Sequence, residues 1–282
     1  MSLAEDVVEI VGEYRRPHNT AAQQKGSIHD DATASKLGFK GGTVAGSLHM
    51  DQFIPLLLEL YGEDFLKQGN ISLYFKQATV DLEAVRCFAK LAPGDTHARL
   101  SMENEAGDLI NDGTASCAGA DTATELSRRV VAQTPAAPGA LRILARCRVG
   151  ATVEAMPIQA AGEVVEKRLE TIPERIAAYD SDPRVLPPAV TVNLYRPVQE
   201  ALLKLESRPV GLFGAIELQN LAGPLRADTA YVGRGRVLAL SESPKTENIW
   251  YQAWAADPDT GEDVAWMIMY LRFLKASSPL WA

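Results

Sequence analysis

This sequence has few cysteines and few histidines, and its acidic residues outnumber its basic ones. Its 282 residues include three cysteines (Cys87, Cys117 and Cys147) in no Cys-x-x-Cys spacing, and four histidines. So few cysteines, odd in number, fit a reducing compartment better than a disulfide scaffold or a cysteine-based zinc site. The formal net charge of −8 argues against nucleic acid or an anionic membrane as the main partner, because both require a basic face.

Long hydrophobic runs are also missing. No apolar segment is long enough to span a bilayer. Residues 1–6, MSLAED, lack the basic and then apolar pattern of a signal peptide. We therefore expect a cytoplasmic protein. The sequence contains no phosphate-binding loop, dinucleotide-binding glycine motif or metal-ligand cluster, so no cofactor and no metal is expected.

One succession of elements occurs twice along the chain. A helical apolar pattern covers Val44 to Leu60 and is followed by four strand-like segments. In the second half, a helix is predicted after Pro187-Pro188, and the closing turn and strand recur at the end of the chain. The first-half strands are 71–75, 84–91, 98–103 and 109–117, and the last strand of the second half is 264–273. The recurrence predicts a duplicated unit.

A long apolar helix followed by several hairpin-linked strands is typical of a helix packed on a curved antiparallel sheet. The sequence therefore predicts an α+β fold with two tandem units whose sheets continue into each other. We place the first unit at residues 1–120 and the second at 141–282. Residues 121–140, polar and then rich in alanine and proline, are predicted to be a linker.

The segment GSIHDDATASKLGFKGGTVAG, residues 26–46, carries the most informative motif. Ile28-His29, then Leu37-Gly38-Phe39, then Val44-Ala45-Gly46 resemble the signature of MaoC-like hydratases and dehydratases. The resemblance implies a double hotdog fold, each unit a helix wrapped by a sheet. It also implies reversible addition of water to a trans-2-enoyl-CoA, a reaction of fatty acid metabolism. The sequence departs from the family at Gln24, where the family has its catalytic Asp, and at Gly26-Ser27, where it has Asn-Pro.

The resemblance assigns catalysis to the start of this motif. His29 is the candidate acid and base, since its unperturbed pKa lies near neutrality. Gln24 is neutral and cannot act as a base, but it can orient a water molecule. Asp30 or Asp31 is a candidate to orient the His29 ring, and Asp51 could instead supply the missing carboxylate if the fold brings it near.

The end of the motif is the candidate substrate-binding segment. Backbone N–H groups at Val44, Ala45 and Gly46 are expected to stabilise negative charge on the thioester oxygen, because first-turn donors are unpaired. Gly42 would let the ligand approach the backbone closely, and His49 would line the same pocket. We expect one site per chain, because no histidine follows residue 97.

Structural interpretations compete with these assignments. Asp31 has the position of a helix N-cap before Ala32, and the glycines 41–46 could only shape the loop. Arg142, Arg146 and Arg148 are predicted to share one face of a strand, either solvated or facing the phosphates of coenzyme A. Trp250, Tyr251, Trp254 and Trp266 are predicted to pack on the second sheet.

Three functions remain open at the level of sequence. The first is a hydratase/dehydratase, a lyase with a modified active site, acting on an acyl-CoA or acyl-carrier thioester. The second is a non-catalytic protein that binds acyl thioesters or lipids, and the third is an acyl-CoA thioesterase, since fold does not fix reaction. The sequence leaves open whether the chain forms a homodimer.

Overall fold

The computed structural model describes residues 7–119 and 124–282. Within these ranges, ten strands form a single sheet in which all neighbouring strands are antiparallel. The strands are β1 (Val8–Val11), β2 (Asn70–Phe75), β3 (Val85–Leu91), β4 (Ala98–Asn104), β5 (Leu109–Ser116), β6 (Thr152–Ile158), β7 (Gly211–Asn220), β8 (Tyr231–Glu242), β9 (Thr246–Ala256) and β10 (Asp263–Leu274).

Strand order is the same in both halves of the sheet. The full order is β1-β3-β4-β5-β2-β7-β10-β9-β8-β6. Counted outward from the central β2–β7 pair, the first half runs β2, β5, β4, β3, β1 and the second half runs β7, β10, β9, β8, β6. In each half these are the second, fifth, fourth, third and first strands in chain order. The central pair runs from Asn70 opposite Gln219 to Tyr74 opposite Ala215. The predicted α+β fold with two units joined through their sheets is therefore confirmed.

In the described residues, eight α-helices accompany the sheet. They are α1 (Asp31–Lys36), α2 (Gly46–Met50), α3 (Ile54–Tyr61), α4 (Asp64–Gln68), α5 (Glu125–Val131), α6 (Gly162–Leu169), α7 (Pro188–Leu194) and α8 (Arg196–Leu202). A 3-10 turn over Asp51–Phe53 joins α2 to α3, so the first-half helix is one segment from 46 to 61. Its counterpart consists of α7 and α8, which meet at Tyr195.

The helices of both halves share one hydrophobic core. Met50, Phe53 and Leu57 of the first half and Tyr195 and Val198 of the second are at 0% exposure in the same cluster. The face of the second-half sheet that points away from these helices carries an aromatic cluster in which Trp250 and Tyr270 stack at 4.3 Å. Helix α5 covers that cluster through Leu126. The sheet is therefore covered on both faces at its centre.

Some local predictions were wrong. Residues 141–148 form turns rather than a strand, because the Glu247 carboxylate accepts hydrogen bonds from the backbone N–H groups of Arg142, Ile143 and Leu144 at 2.8, 3.0 and 2.9 Å. The interval 121–140, predicted to be a linker, contains α5, whose N-terminus is capped by Thr124. Residues 1–6 and 120–123 lie outside the described residues. The predictions for the N-terminal segment and for the first residues of the 121–140 interval therefore also lie outside them.

Candidate functional site

Helix α1 organises the loop that precedes the first-half helix. Its N-cap is Asp30, not Asp31, because Asp30 accepts hydrogen bonds from the backbone N–H of Thr33 at 3.2 Å and its hydroxyl at 2.7 Å. The Thr33 hydroxyl lowers the pKa of Asp30. The Asp31 carboxylate instead accepts from the Gly42 N–H at 2.6 Å, which fastens the glycine loop to α1. Asp30 is thus engaged in capping, and Asp31 holds the loop.

His29 is fixed by the backbone around it. Its Nδ1 lies 2.7 Å from the Thr43 carbonyl oxygen, and the Thr43 N–H donates to the Ile28 carbonyl at 3.0 Å. Because a carbonyl can only accept, Nδ1 must carry the proton that it donates. In the neutral ring the lone pair therefore belongs to Nε2, which has no hydrogen-bond partner in residues 7–119 and 124–282.

A cavity of about 140 Å³ lies beside this histidine. It opens where β2 and β7 stop pairing, so both halves form its wall. Its first-half wall is formed by Ile28, His29, Phe39, Thr43, Val44, Ala45, Gly46, His49, Phe75, Lys76, Gln77, Ala78 and Thr79, and its second-half wall by Gly211, Leu212, Phe213 and Arg272. The structure thus brings together five predicted site residues, namely His29, Val44, Ala45, Gly46 and His49. None of the lining residues in the described part of the chain is an Asp or a Glu.

The start of the first-half helix offers fewer donors than the sequence predicts. The Val44 N–H donates to the Thr79 carbonyl at 2.9 Å and is therefore engaged. Ala45 is the N-cap residue and makes no side-chain cap bond. The Leu48 N–H donates to the Ala45 carbonyl at 2.9 Å, so the backbone donors left without a partner among the described residues are those of Ala45, Gly46 and Ser47.

At two glycine positions of the motif, neighbouring atoms leave no room for a side chain. A Cβ at Gly42 would lie 2.2 Å from the His29 carbonyl oxygen, and a Cβ at Gly46 would lie 2.8 Å from the Phe75 ring. Gly42 does not line the cavity; it lies behind the His29 backbone. Gly42 was predicted to admit a ligand, but the structure shows that it instead allows close packing against His29.

His49 is a neutral member of the wall. It is 2% exposed, and both ring nitrogens are hydrogen-bonded, Nε2 to the Thr79 hydroxyl at 2.8 Å and Nδ1 to the Gln52 amide at 3.2 Å. Burial lowers the pKa of His49 to about 4, and the positive charge of Arg168 acts in the same direction. With both nitrogens engaged, His49 shapes the wall and is poorly suited to move protons near neutral pH.

The structure does not bring Gln24 or Asp51 to the cavity. Gln24 is exposed in the loop before His29 and is not among the lining residues. Asp51 is fully buried on the other side of the helix, where its carboxylate contacts Arg168 at 2.6 Å and accepts from the Ala189 N–H at 2.8 Å. Neither residue supplies a carboxylate or an amide beside His29.

Sequence reasoning missed the cationic residues of the wall. Lys76 follows β2, and its ammonium group lies 3.2 Å from the Asp112 carboxylate. Arg272 comes from β10 of the second half. No local signal in the sequence marks either residue, because the cavity depends on the pairing of β2 with a strand far away along the chain.

The described residues contain no group of three or more His, Cys, Asp or Glu side chains placed to hold a metal ion. In the same part of the chain, no helix has the length and apolar character needed to cross a membrane.

Comparisons with known proteins give matches in structure alone. No family model and no curated protein matches the sequence. A protein described as a MaoC domain protein dehydratase from Chloroflexus aurantiacus is similar with a TM-score of 0.62 at 11% identity, over 96% of this chain and 95% of that one. A conserved hypothetical protein from Mycobacterium tuberculosis, described as a double hotdog fold, is similar with a TM-score of 0.58 at 15% identity, over 97% of each chain.

A third solved structure, a MaoC-like dehydratase, has a TM-score of 0.54 at 11% identity, over 95% of this chain and 98% of that one. At such low identity the likeness shows a shared fold, and fold alone does not fix an activity. The chain therefore has the double hotdog fold, the architecture also found in MaoC-like dehydratases.

Proposed function

We propose that this chain is a hydratase/dehydratase of trans-2-enoyl thioesters that uses His29 as both base and acid. The observation that carries the proposal is the hydrogen bond of 2.7 Å from His29 Nδ1 to the Thr43 carbonyl. It leaves the Nε2 lone pair of a cavity-lining histidine available for a water molecule. The thioester carrier would be coenzyme A or an acyl-carrier protein.

In the hydration direction, Nε2 accepts a proton from water while the water oxygen forms a bond to C3 of the enoyl group. The electrons of the double bond move toward the thioester carbonyl, whose oxygen becomes negative. Gly46, the first residue of α2, lines the same cavity, and the N–H groups of a first helical turn are suited to stabilise this charge. The protonated Nε2 then returns its proton to C2, so one histidine completes the cycle.

The catalytic assignment is tested with isotopic water. Wild type should convert trans-2-enoyl-CoA in H₂¹⁸O to a 3-hydroxyacyl-CoA labelled at C3. His29→Ala should lower turnover by roughly two to four orders of magnitude, the usual contribution of a general acid/base. His18→Ala is the matched control, because His18 is a half-exposed histidine of the same half that does not line the cavity. Equal turnover by His29→Ala and wild type would disprove the role of His29.

A second candidate function is binding without catalysis. It is favoured by the cavity wall, which has no carboxylate among the described residues, and by the exposed position of Gln24. A binding protein would be stabilised against unfolding by acyl-CoA and would leave the enoyl group unchanged. A thioesterase would instead place the isotope in a released carboxylate, so the same assay separates the three activities.

A further inference from the structure

Arg272 is a cation of the cavity wall without an internal counter-ion. It lines the cavity from the end of β10, and its side chain forms no hydrogen bond or ion pair with any residue in the ranges 7–119 and 124–282. Its Nε atom is buried and unpartnered. The guanidinium carbon lies 5.9 Å from the ring centre of Tyr270, its neighbour on the same strand. A buried donor left unpaired is destabilising, so this arrangement calls for an explanation.

The other cation of the wall differs in this respect. Lys76 forms an ion pair with Asp112 at 3.2 Å and lies 4.9 Å above the ring centre of Tyr74. Arg129, which lies over the same Tyr74 ring at 4.7 Å, is paired with Glu125 at 2.8 Å. Of the two cations that line the cavity in the described part of the chain, Arg272 is therefore the one without an ion pair.

The backbone is shaped to hold Arg272 in place. A Cβ at Gly214 would lie 3.1 Å from the Arg272 Nε and 2.3 Å from the Tyr270 ring, so only glycine lets both side chains cross β7. The pairing of β7 with β10 shifts register between Tyr270 and Leu271. A bulge of this kind re-aims a side chain, and such bulges are common next to active sites.

We propose that Arg272 is the specificity-determining residue of this cavity and binds an anionic oxygen of the ligand. Arginine presents a planar set of donors that matches carboxylate and phosphate oxygens. The anion would belong to the acyl group, as a second carboxylate, or to the phosphates of coenzyme A. The inference rests on the proposed thioester ligand, but it concerns recognition and is tested by binding, without turnover.

Three thioesters separate the two sources of the anion. Butyryl-CoA and succinyl-CoA have acyl chains of equal length and differ by a terminal carboxylate. The N-acetylcysteamine thioester of butyrate lacks the phosphates. Dissociation constants would be measured by calorimetry for wild type and Arg272→Gln. Arg236→Gln is the matched control, since Arg236 is an exposed arginine on β8 of the same half and lies outside the cavity.

If Arg272 binds a carboxylate, Arg272→Gln should bind succinyl-CoA roughly 10- to 100-fold more weakly and butyryl-CoA as wild type does. If it binds phosphate, both CoA esters should weaken by that factor while the phosphate-free thioester is unaffected. Arg272→Lys, which keeps the charge, should recover part of the lost affinity in either case. Arg236→Gln should match wild type throughout.

The inference is overturned if Arg272→Gln binds all three thioesters as wild type does, which would mean that water alone satisfies the guanidinium. It is also overturned if the variant weakens all three equally, which would indicate a structural role, or if wild type binds none of them. Failure of the proposed function gives a different result. Wild type would then bind with an Arg272-dependent preference but would not hydrate trans-2-enoyl-CoA.

Discussion

Two histidines line the cavity, and their neighbours prepare them for different tasks. His29 donates from one ring nitrogen to the Thr43 carbonyl, and its other nitrogen has no hydrogen-bond partner among the described residues. His49 has both nitrogens engaged by Thr79 and Gln52 in a buried environment. Hydrogen-bond partners and burial, rather than residue type, therefore distinguish the proposed base, His29, from the structural histidine, His49.

The buried state of His49 predicts a pH dependence of stability. Its pKa is lowered from 6.5 to about 4 in the folded chain, so between these values the unfolded chain binds the extra proton. The stability that comes from neutral His49 is present above pH 6.5 and is lost as the pH falls toward 4. The loss should reach about 3 kcal/mol, measured by denaturant unfolding across this range.

Comparison with His49→Gln isolates this effect from other groups. Burial raises the pKa of Glu217 to about 7, so Glu217 lowers stability as the pH rises from about 4.5 to 7, in the opposite sense. Both proteins contain Glu217, and only wild type should show the additional loss at low pH. Parallel curves for wild type and His49→Gln would contradict the assignment to His49.

At the scale of single residues, the sequence predicted part of the candidate site. His29 and the segment from Val44 to Gly46 lie on the cavity as the motif indicated. The partner of His29 could not be found from residue types, because it is a backbone carbonyl. Arg272 could not be found either, because it reaches the cavity through strand pairing between the two halves.

At the scale of elements, the loop between α1 and α2 positions the candidate base. Asp31 on α1 binds the Gly42 N–H, and Gly42 packs on the His29 carbonyl with no room for a side chain. The neighbouring Gly41 has more room, since a Cβ there would lie 3.2 Å from the nearest atom, the Asp31 Oδ1. The two glycines thus form a matched pair for testing the loop.

Gly42→Ala should displace His29, because a new Cβ would lie 2.2 Å from its carbonyl oxygen. We expect a loss of about 1–3 kcal/mol in the free energy of unfolding, as for overpacked sites. Turnover of a thioester should fall on the order of 100-fold if His29 is misplaced. Gly41→Ala should change the free energy of unfolding by less than about 1 kcal/mol. Equal effects of the two substitutions would disprove the role of the close contact.

Local pattern predicted the elements of the first half well. The helix expected from Val44 to Leu60 spans 46–61, and the four predicted strands, β2 to β5, lie within one residue of their predicted ends; β1 was not predicted. The prediction failed at 141–148, where apolar and basic residues alternate as in a strand. There a buried carboxylate, that of Glu247, binds three consecutive backbone N–H groups and holds a turn. Such a distant partner leaves no trace in local periodicity.

At the scale of the whole molecule, one buried ion pair joins the two halves. The Asp51 carboxylate lies 2.7 Å from the Arg168 Nε and 2.6 Å from its Nη2, and it also accepts from the Ala189 N–H in the first turn of α7. Asp51 is 0% exposed and Arg168 is 8% exposed. The Asp51 carboxylate of the first half therefore compensates the Arg168 charge of the second half and accepts a hydrogen bond from the N-terminal end of α7.

Removing one partner should leave a buried charge without compensation. Arg168→Met is expected to lower the free energy of unfolding by about 3–5 kcal/mol, measured by chemical denaturation. Arg168→Met combined with Asp51→Asn should cost less than the sum of the single changes, since no charge then remains buried. Arg184→Met is a control, because its contact with Glu166 is largely exposed, and it should cost at most about 1 kcal/mol. Additive losses in the double variant would contradict the coupling.

The repeated strand order has a consequence for how mutations affect the two units. In a symmetric dimer of single hotdog units, one mutation alters both copies of the unit at once. In this chain the two units are encoded separately, so the first can keep His29 while the second carries Pro187-Pro188 before its helix. Under the proposed function, selection can therefore act on catalysis in one unit and on ligand recognition, through residues such as Arg272, in the other.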